Sequence, residues 1–261
     1  MEEILKVESL KKNFSGLTAV DDLTFDVFKG EILGIVGPNG SGKTTTINLI
    51  TGFLKPTSGR ILFNDQNITG MSPPQIARLD IARTFQIVSV FPTMTVEENI
   101  VAGSYLKRRD GFFDTFLQSK DYKKEKNRLK QNASDILNFL EMQDKKDVFA
   151  KDLGLGEQRN LEIGIALAAE PKLLFLDEPS GGMNPEECQE FIQLACTIQG
   201  KGITIVIIDH NMRVIMKLCH RVVVMNFGSK IAEGEPKEIA NNELVISTYL
   251  GKAFMEQKGL K

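Results

Sequence analysis

Residues 37–45 read Gly37-Pro38-Asn39-Gly40-Ser41-Gly42-Lys43-Thr44-Thr45, a complete phosphate-binding loop. Gly37, Gly40 and Gly42 permit backbone turns that a side chain would block, so successive N–H groups can converge on phosphate oxygens. Lys43 supplies a point charge for the outer phosphates, and the Thr44 hydroxyl is a ligand suited to Mg²⁺. Glu31-Ile-Leu-Gly-Ile-Val36 before the loop is an apolar, strand-like run, and Thr45-Thr-Ile-Asn-Leu-Ile50 after it begins a helix. The helix thus turns its partially positive N-terminus toward the phosphates. Strand, glycine loop and helix in this order imply that the chain binds ATP or GTP.

Outward from the loop, three more runs are apolar without alternation: Leu173–Leu176, Ile203–Ile208 and Val222–Met225. Strands covered on both faces have this pattern, whereas half-solvated strands alternate. With helical periodicity between them, they predict an α/β fold with a largely parallel sheet. The first ~30 residues and Gly59–Asn67 alternate instead, with turn signals at Lys29-Gly30 and Asn64-Asp65, and predict a small antiparallel sheet. Between about residues 88 and 156 the composition changes. Charge rises over Lys107–Lys130, and Leu129, Ala133, Ile136, Leu137 and Leu140 keep helical spacing. This region reads as an inserted helical subdomain. Its aromatic stretch Gly111-Phe-Phe-Asp-Thr-Phe-Leu117 is read as subdomain packing, or as a contact surface for another protein.

Composition narrows the function further. The 261 residues carry 32 Lys and Arg against 34 Asp and Glu, a net charge of −2, so no basic field invites nucleic acid. Three cysteines and two histidines show no zinc-ligand spacing. The first residues carry no secretory pattern, and no apolar run approaches the ~20 residues that span a bilayer. The expectation is a soluble, cytoplasmic chain whose membrane role, if it has one, comes through a partner.

Leu173-Leu-Phe-Leu-Asp177-Glu178 ends a buried strand in two carboxylates, and ligands sit at such strand ends. Asp177 is placed to hold Mg²⁺ through water, because Mg²⁺ dehydrates reluctantly. Glu178, pointing away from Asp177 by strand alternation, is the candidate general base toward an attacking water. His210 follows the Ile203–Ile208 strand and is the candidate contact to a γ-phosphate. The Gln86 carboxamide, in Arg83-Thr-Phe-Gln86, has the reach for Mg²⁺ or the lytic water.

The order of P-loop, Gln86, Leu153-Gly-Leu-Gly-Glu-Gln158, Asp177-Glu178, Asn184 and His210 resembles the ATP-binding subunits of ABC transporters. The resemblance covers essentially the whole chain. It implies a P-loop NTPase, RecA-like core with its antiparallel β subdomain at 1–87 and 157–235. A helical subdomain falls at 88–156 and a C-terminal helical extension at 236–261. Phe14 is implied as the aromatic that stacks on adenine, where a π-face accepts a base without hydrogen-bond readout. Leu153–Gln158 is implied as the signature loop, whose Gly154, Gly156 and Glu157, at the start of a helix read as Glu157–Ala169, meet the γ-phosphate held by a second subunit. Two subunits then pack head to tail around two ATP molecules.

Two positions depart from the family pattern. Gly154 stands where the signature usually has serine, with Leu155 at the next glycine, so the hydroxyl donor to the opposing phosphate is missing. Asn184 stands where many relatives have aspartate; it can hydrogen-bond across a dimer but carries no charge. The strings Ala82-Arg-Thr-Phe-Gln86, Leu161-Glu-Ile163, Met183-Asn-Pro185 and Gly234–Gly251, with the long insert between Tyr105 and Asp147, are similar to the ATPase subunits of branched-chain amino-acid importers. That likeness implies integral membrane permease subunits, a second ATP-binding subunit and, indirectly, a substrate-binding protein as partners. It places the chain on the cytoplasmic face of the membrane. The loop Ile87–Pro92, with the aromatic insert, is the expected grip on a membrane subunit. Cousins that serve urea, amide or lipopolysaccharide transport are alternatives, as is a soluble ABC ATPase outside transport. Against the last, no sustained heptad run and only one ATPase domain are present. A regulatory module that does not hydrolyse conflicts with Asp177, Glu178 and His210.

Overall fold

A computed structural model describes residues 2–85, 89–105 and 120–248, the side chains of the last stretch from residue 127 onward. In chain order the strands are β1 (Glu3–Phe14), β2 (Leu17–Phe28), β3 (Ile32–Val36), β4 (Ser58–Phe63), β5 (Gln66–Asn67), β6 (Ile81–Arg83), β7 (Leu173–Asp177), β8 (Thr204–Ile208), β9 (Arg221–Asn226) and β10 (Ser229–Gly234). The helices are α1 (Lys43–Ile50), α2 (Pro73–Ala77), α3 (Val96–Ser104), α4 (Lys120–Phe139), α5 (Leu155–Ala168), α6 (Pro185–Gly200), α7 (Met212–Leu218) and α8 (Pro236–Asn241). The chain divides into two compact units, residues 1–76 with 175–261 and residues 77–174.

The first unit holds two sheets. One is antiparallel, in the order β2-β1-β4-β5. Its β4–β5 turn places Asn64 and Asp65 at φ 47° and 61°, the left-handed pair that closes a two-residue hairpin. The other runs β10-β9-β3-β8-β7, with β3 parallel to both β8 and β9. Every residue of β3, β7 and β8 is buried, which is why those runs carry no polar alternation. The fixed directions of these strands bring the P-loop after β3, the carboxylates after β7 and His210 after β8 to their carboxyl ends.

The second unit is mainly helical, and α3, α4 and α5 pack on one another. The expected stripe Leu129, Ala133, Ile136, Leu137 and Leu140 is buried throughout. Thr95 and Glu98 form a reciprocal capping box at the start of α3. Gly103 lets the α3 backbone approach α5 closely, since a Cβ there would lie 2.3 Å from the Ile165 carbonyl oxygen. This packing sets α5 within the second unit.

Candidate functional site

The P-loop is shaped by backbone that only glycine accepts easily. A Cβ at Gly37 would meet the Met225 carbonyl at 2.2 Å, and one at Gly42, where φ is 100°, would meet the Ala19 carbonyl at 2.4 Å. Gly42 is the left-handed cap residue of α1, and no acidic side chain occupies that helix's first turn. Ser41 is buried, donates its N–H to the Pro38 carbonyl at 3.1 Å and accepts the Gly228 N–H at 3.1 Å. Lys43 is buried too, its Nζ donating to the carbonyls of Gly37 at 2.7 Å and Pro38 at 3.0 Å. Burial lowers the Lys43 pKa, while the carboxylates of Glu178 and then Asp177 pull it back up. Thr44 is exposed at the helix start and Thr45 half-buried behind it. A cavity of about 500 Å³ adjoins the loop between Pro38, Asn39, Gly40 and Ser41 on one side and Phe227 and Thr248 on the other.

Asp177 is buried at the last residue of β7. Glu178 lies beyond the strand with φ 51°, its N–H donating to the Ile208 carbonyl at 2.7 Å. Strand alternation, which the sequence suggests as the source of its direction, therefore does not set it; a left-handed turn does. The turn brings Glu178 Oε2 to 3.8 Å from His210 Nδ1. A carboxylate and an imidazole at that separation can exchange or share a proton through a small rotation or one water. Asp209, which is not among the residues expected from sequence, is fully buried and ties the two loops together. Its Oδ2 accepts the Ser180 N–H at 3.0 Å and its Oδ1 the Asn211 N–H at 2.8 Å. The signal for it was an acidic residue directly after a buried strand, with hydrogen-bonding neighbours on both sides.

The oxygen of the Asn184 carboxamide is already committed. It accepts the N–H groups of Glu186 and Glu187, both at 2.9 Å, as the cap of α6. What remains to offer another chain is the amide NH₂. Phe14 ends β1 with 41% exposure, and Lys12 Nζ stands 4.9 Å from its ring centroid.

In the helical unit, Gly154 caps α5, two residues earlier than expected, so Gly156 lies inside the first turn. Only half of a capping box exists: Glu157 Oε2 accepts the Gly154 N–H at 2.9 Å, and a glycine has no side chain to reciprocate. Glu157 Oε1 is also bonded to Lys145 Nζ. These contacts, Lys145 first and then the Gly154 N–H, hold the Glu157 carboxyl below its ordinary pKa. Leu155 is 59% exposed. Gln86, Ile87 and Val88 lie outside the described residues, as does Gly111–Leu117. The segment leading to Gln86 is anchored by buried Glu162, whose Oε1 accepts the Phe85 N–H at 2.8 Å. After it, buried Asn99 accepts the Phe91 N–H at 2.7 Å and donates to the Phe91 carbonyl at 3.1 Å.

The first unit's residues fit a nucleotide polyphosphate: a backbone cradle, a lysine, a helix N-terminus and an exposed hydroxyl. They also suit Mg²⁺, which favours a hydroxyl, one carboxylate, phosphates and retained water over an all-protein cage. No group of three His, Cys, Asp or Glu gathers among the described residues. This is the site of a P-loop nucleotide hydrolase.

Comparison with known proteins narrows the class. Residues 20–181 match the family described as "ABC transporter", and residues 229–255 match "Branched-chain amino acid ATP-binding cassette transporter". The chain is 37% identical to the high-affinity branched-chain amino acid transport ATP-binding protein LivG of Escherichia coli, over 97% of this chain and 99% of that protein. BraF of Pseudomonas aeruginosa, named for the same transport, is 33% identical over 96% and 98%. Among solved structures, a nucleotide-free ATP-binding cassette from an ABC transporter superposes with a TM-score of 0.83 at 34% identity, covering 96% of this chain and all of that one. The ADP conformation of the cassette MJ1267 gives 0.84 at 33% identity, covering 97% and 100%. The chain belongs to the ATP-binding subunits of ABC transporters, and it is an ATPase that powers transport.

Proposed function

We propose that this subunit drives the import of branched-chain amino acids from the cytoplasmic face of the cell membrane. The observation that carries the substrate class is the C-terminal match to the branched-chain type over residues 229–255, joined to full-length relatives named for that transport. No helix among the described residues is long and apolar enough to cross a membrane. The passage is therefore assigned to separate permease subunits, and capture of the amino acid to a substrate-binding protein outside the cell. The transported molecule is read by those partners, not by this chain.

Residues 37–45 cradle the ATP phosphates and Phe14 stacks on adenine. When bound, Mg²⁺ neutralises phosphate charge; the Thr44 hydroxyl and Gln86 carboxamide would hold it, with Asp177 acting through water. Glu178 takes the proton of the attacking water and His210 contacts the γ-phosphate; the 3.8 Å approach of these two side chains supports that assignment. Gly154, Gly156 and Glu157 meet the γ-phosphate bound by a second ATPase subunit, identical or different, so each nucleotide is closed in by two chains. The division at 1–87 with 157–235, 88–156 and 236–261 separates nucleotide handling from permease contact, with Ile87–Pro92 as the grip. Exposed Phe91 in that loop supports such a contact.

The test is purification from membranes through a tag on this chain, followed by reconstitution in vesicles. Permease subunits and ATP-driven uptake of leucine, isoleucine and valine are the expected result. Uptake of urea or amides instead, or recovery of an active ATPase with no permease, overturns the reading.

A further inference from the structure

The N-terminus of α5 carries an apparent contradiction. The N–H groups of Leu155, Gly156 and Glu157 have no acceptor within their helix, and no side chain caps them. They are donors suited to an anion, and the helix dipole adds to the attraction. Yet Glu157 folds a carboxylate back to that same end, its Oε2 accepting the Gly154 N–H at 2.9 Å. A negative charge a few ångströms from an arriving phosphate opposes it strongly once the contact is drained of water.

We propose that Lys145 is a positioning residue that removes this repulsion, its ammonium pairing the Glu157 carboxylate so that the end of α5 can accept the partner's γ-phosphate. The inference rests on the reading of α5 as the signature helix. Lys145 comes from a short helical turn, Gln143–Lys145, with a fixed backbone. Its N–H donates to the Met142 carbonyl at 3.0 Å, and its carbonyl accepts the Val148 N–H at 2.9 Å. The turn is tied in addition to the start of α3, where Val96 N–H donates to the Val148 carbonyl at 2.9 Å and Glu97 N–H to the Lys146 carbonyl at 3.0 Å. Glu157 raises the Lys145 pKa and Lys145 lowers that of Glu157, so both are ionised at neutral pH. With Gly154 in place of serine, the end of α5 has lost a hydroxyl donor and depends the more on its charge balance.

The experiment measures ATP hydrolysis by the purified transporter complex carrying single and paired substitutions. Lys145→Met should raise KM for ATP about fivefold, the upper range for a partly exposed ion pair, and leave kcat within about twofold. Lys145→Arg should restore the KM. Lys145→Met should have no further effect when Glu157→Gln is present, because the charge to be compensated is then gone. An unchanged KM in Lys145→Met, or an equal loss in the Glu157→Gln background, overturns the inference and leaves Lys145 a structural residue. Gly156→Asp and Gly156→Asn test the underlying reading separately. Both side chains crowd the contact, and the acid inside the first turn should lower hydrolysis far more than the isosteric amide. If both hydrolyse normally, α5 does not face a phosphate; if only the Asp variant is dead while Lys145→Met keeps its KM, the inference alone fails.

Discussion

The two units secure their functional ends by different means. In the nucleotide-binding unit the groups around the chemistry are buried and locked: Lys43 on two loop carbonyls, Asp177 at the end of β7, Asp209 between the loops of Glu178 and His210. In the helical unit the end of α5 is held by a partly exposed Lys145–Glu157 pair and a capping glycine that contributes no side chain. Chemistry needs atoms placed to a fraction of an ångström before the substrate arrives. A surface that completes another subunit's site needs open donors and tolerates adjustment. Under the proposed function, the contrast teaches that rigidity is concentrated where a proton moves, and openness where a second chain is met.

The largest test of that contrast is Glu178→Gln. Loss of a general base should cut hydrolysis about 10²- to 10⁴-fold while ATP binding persists, read by single-turnover kinetics beside a binding titration. Normal turnover would remove Glu178 from its role. Next, Asp209→Ala strands the Ser180 and Asn211 N–H groups and should cost about 3 kcal/mol of stability, seen as a lowered urea midpoint, with activity lost as well. A neutral outcome would mean the core is not locked by that residue. Gly103→Ala forces a Cβ to 2.3 Å from the Ile165 carbonyl and should destabilise the helical unit by about 2 kcal/mol, measured by hydrogen exchange in α3 and α5.

Gly154→Ser works in the other direction. A Cβ there meets only the Glu157 carboxylate, at 3.7 Å, so a serine fits without strain. Its hydroxyl should tighten ATP-dependent association of the ATPase subunits about tenfold, by sedimentation in the Glu178→Gln background. The smallest effect is one of pH. Because the folded Glu157 pKa is depressed, its contribution to stability is present above the ordinary carboxylate value, about pH 4.3, and is lost as pH falls through the lowered folded value. Glu157→Gln should flatten that part of the urea-midpoint profile; an unaltered profile would show the pair to be idle.

Much of this was legible in the chain. The strands β7, β8 and β9 could be read because burial on both faces forbids polar alternation, and the P-loop because its glycines, lysine and Thr44 form a pattern that phosphate binding explains. Gly154 and Gly156 suggest loop and hide the start of α5, yet a glycine cap with Glu157 at the third position is itself a helix-start pattern. Asn184-Pro185-Glu-Glu187 carried the same kind of pattern, cap, proline and acid, and its oxygen goes to α6. Glu178 escaped because nothing in a glutamate announces a left-handed φ. Lys145 lies twelve residues from Glu157 along the chain, and no local spacing could pair them.

Glu178 holds a backbone conformation that costs a residue with a Cβ about 1–3 kcal/mol. A glycine or asparagine at 178 would relieve that cost. A screen that ranks variants by melting temperature alone should therefore reward the loss of this carboxylate. Under the proposed role of Glu178, a variant selected that way would close on ATP and not let the transporter reset.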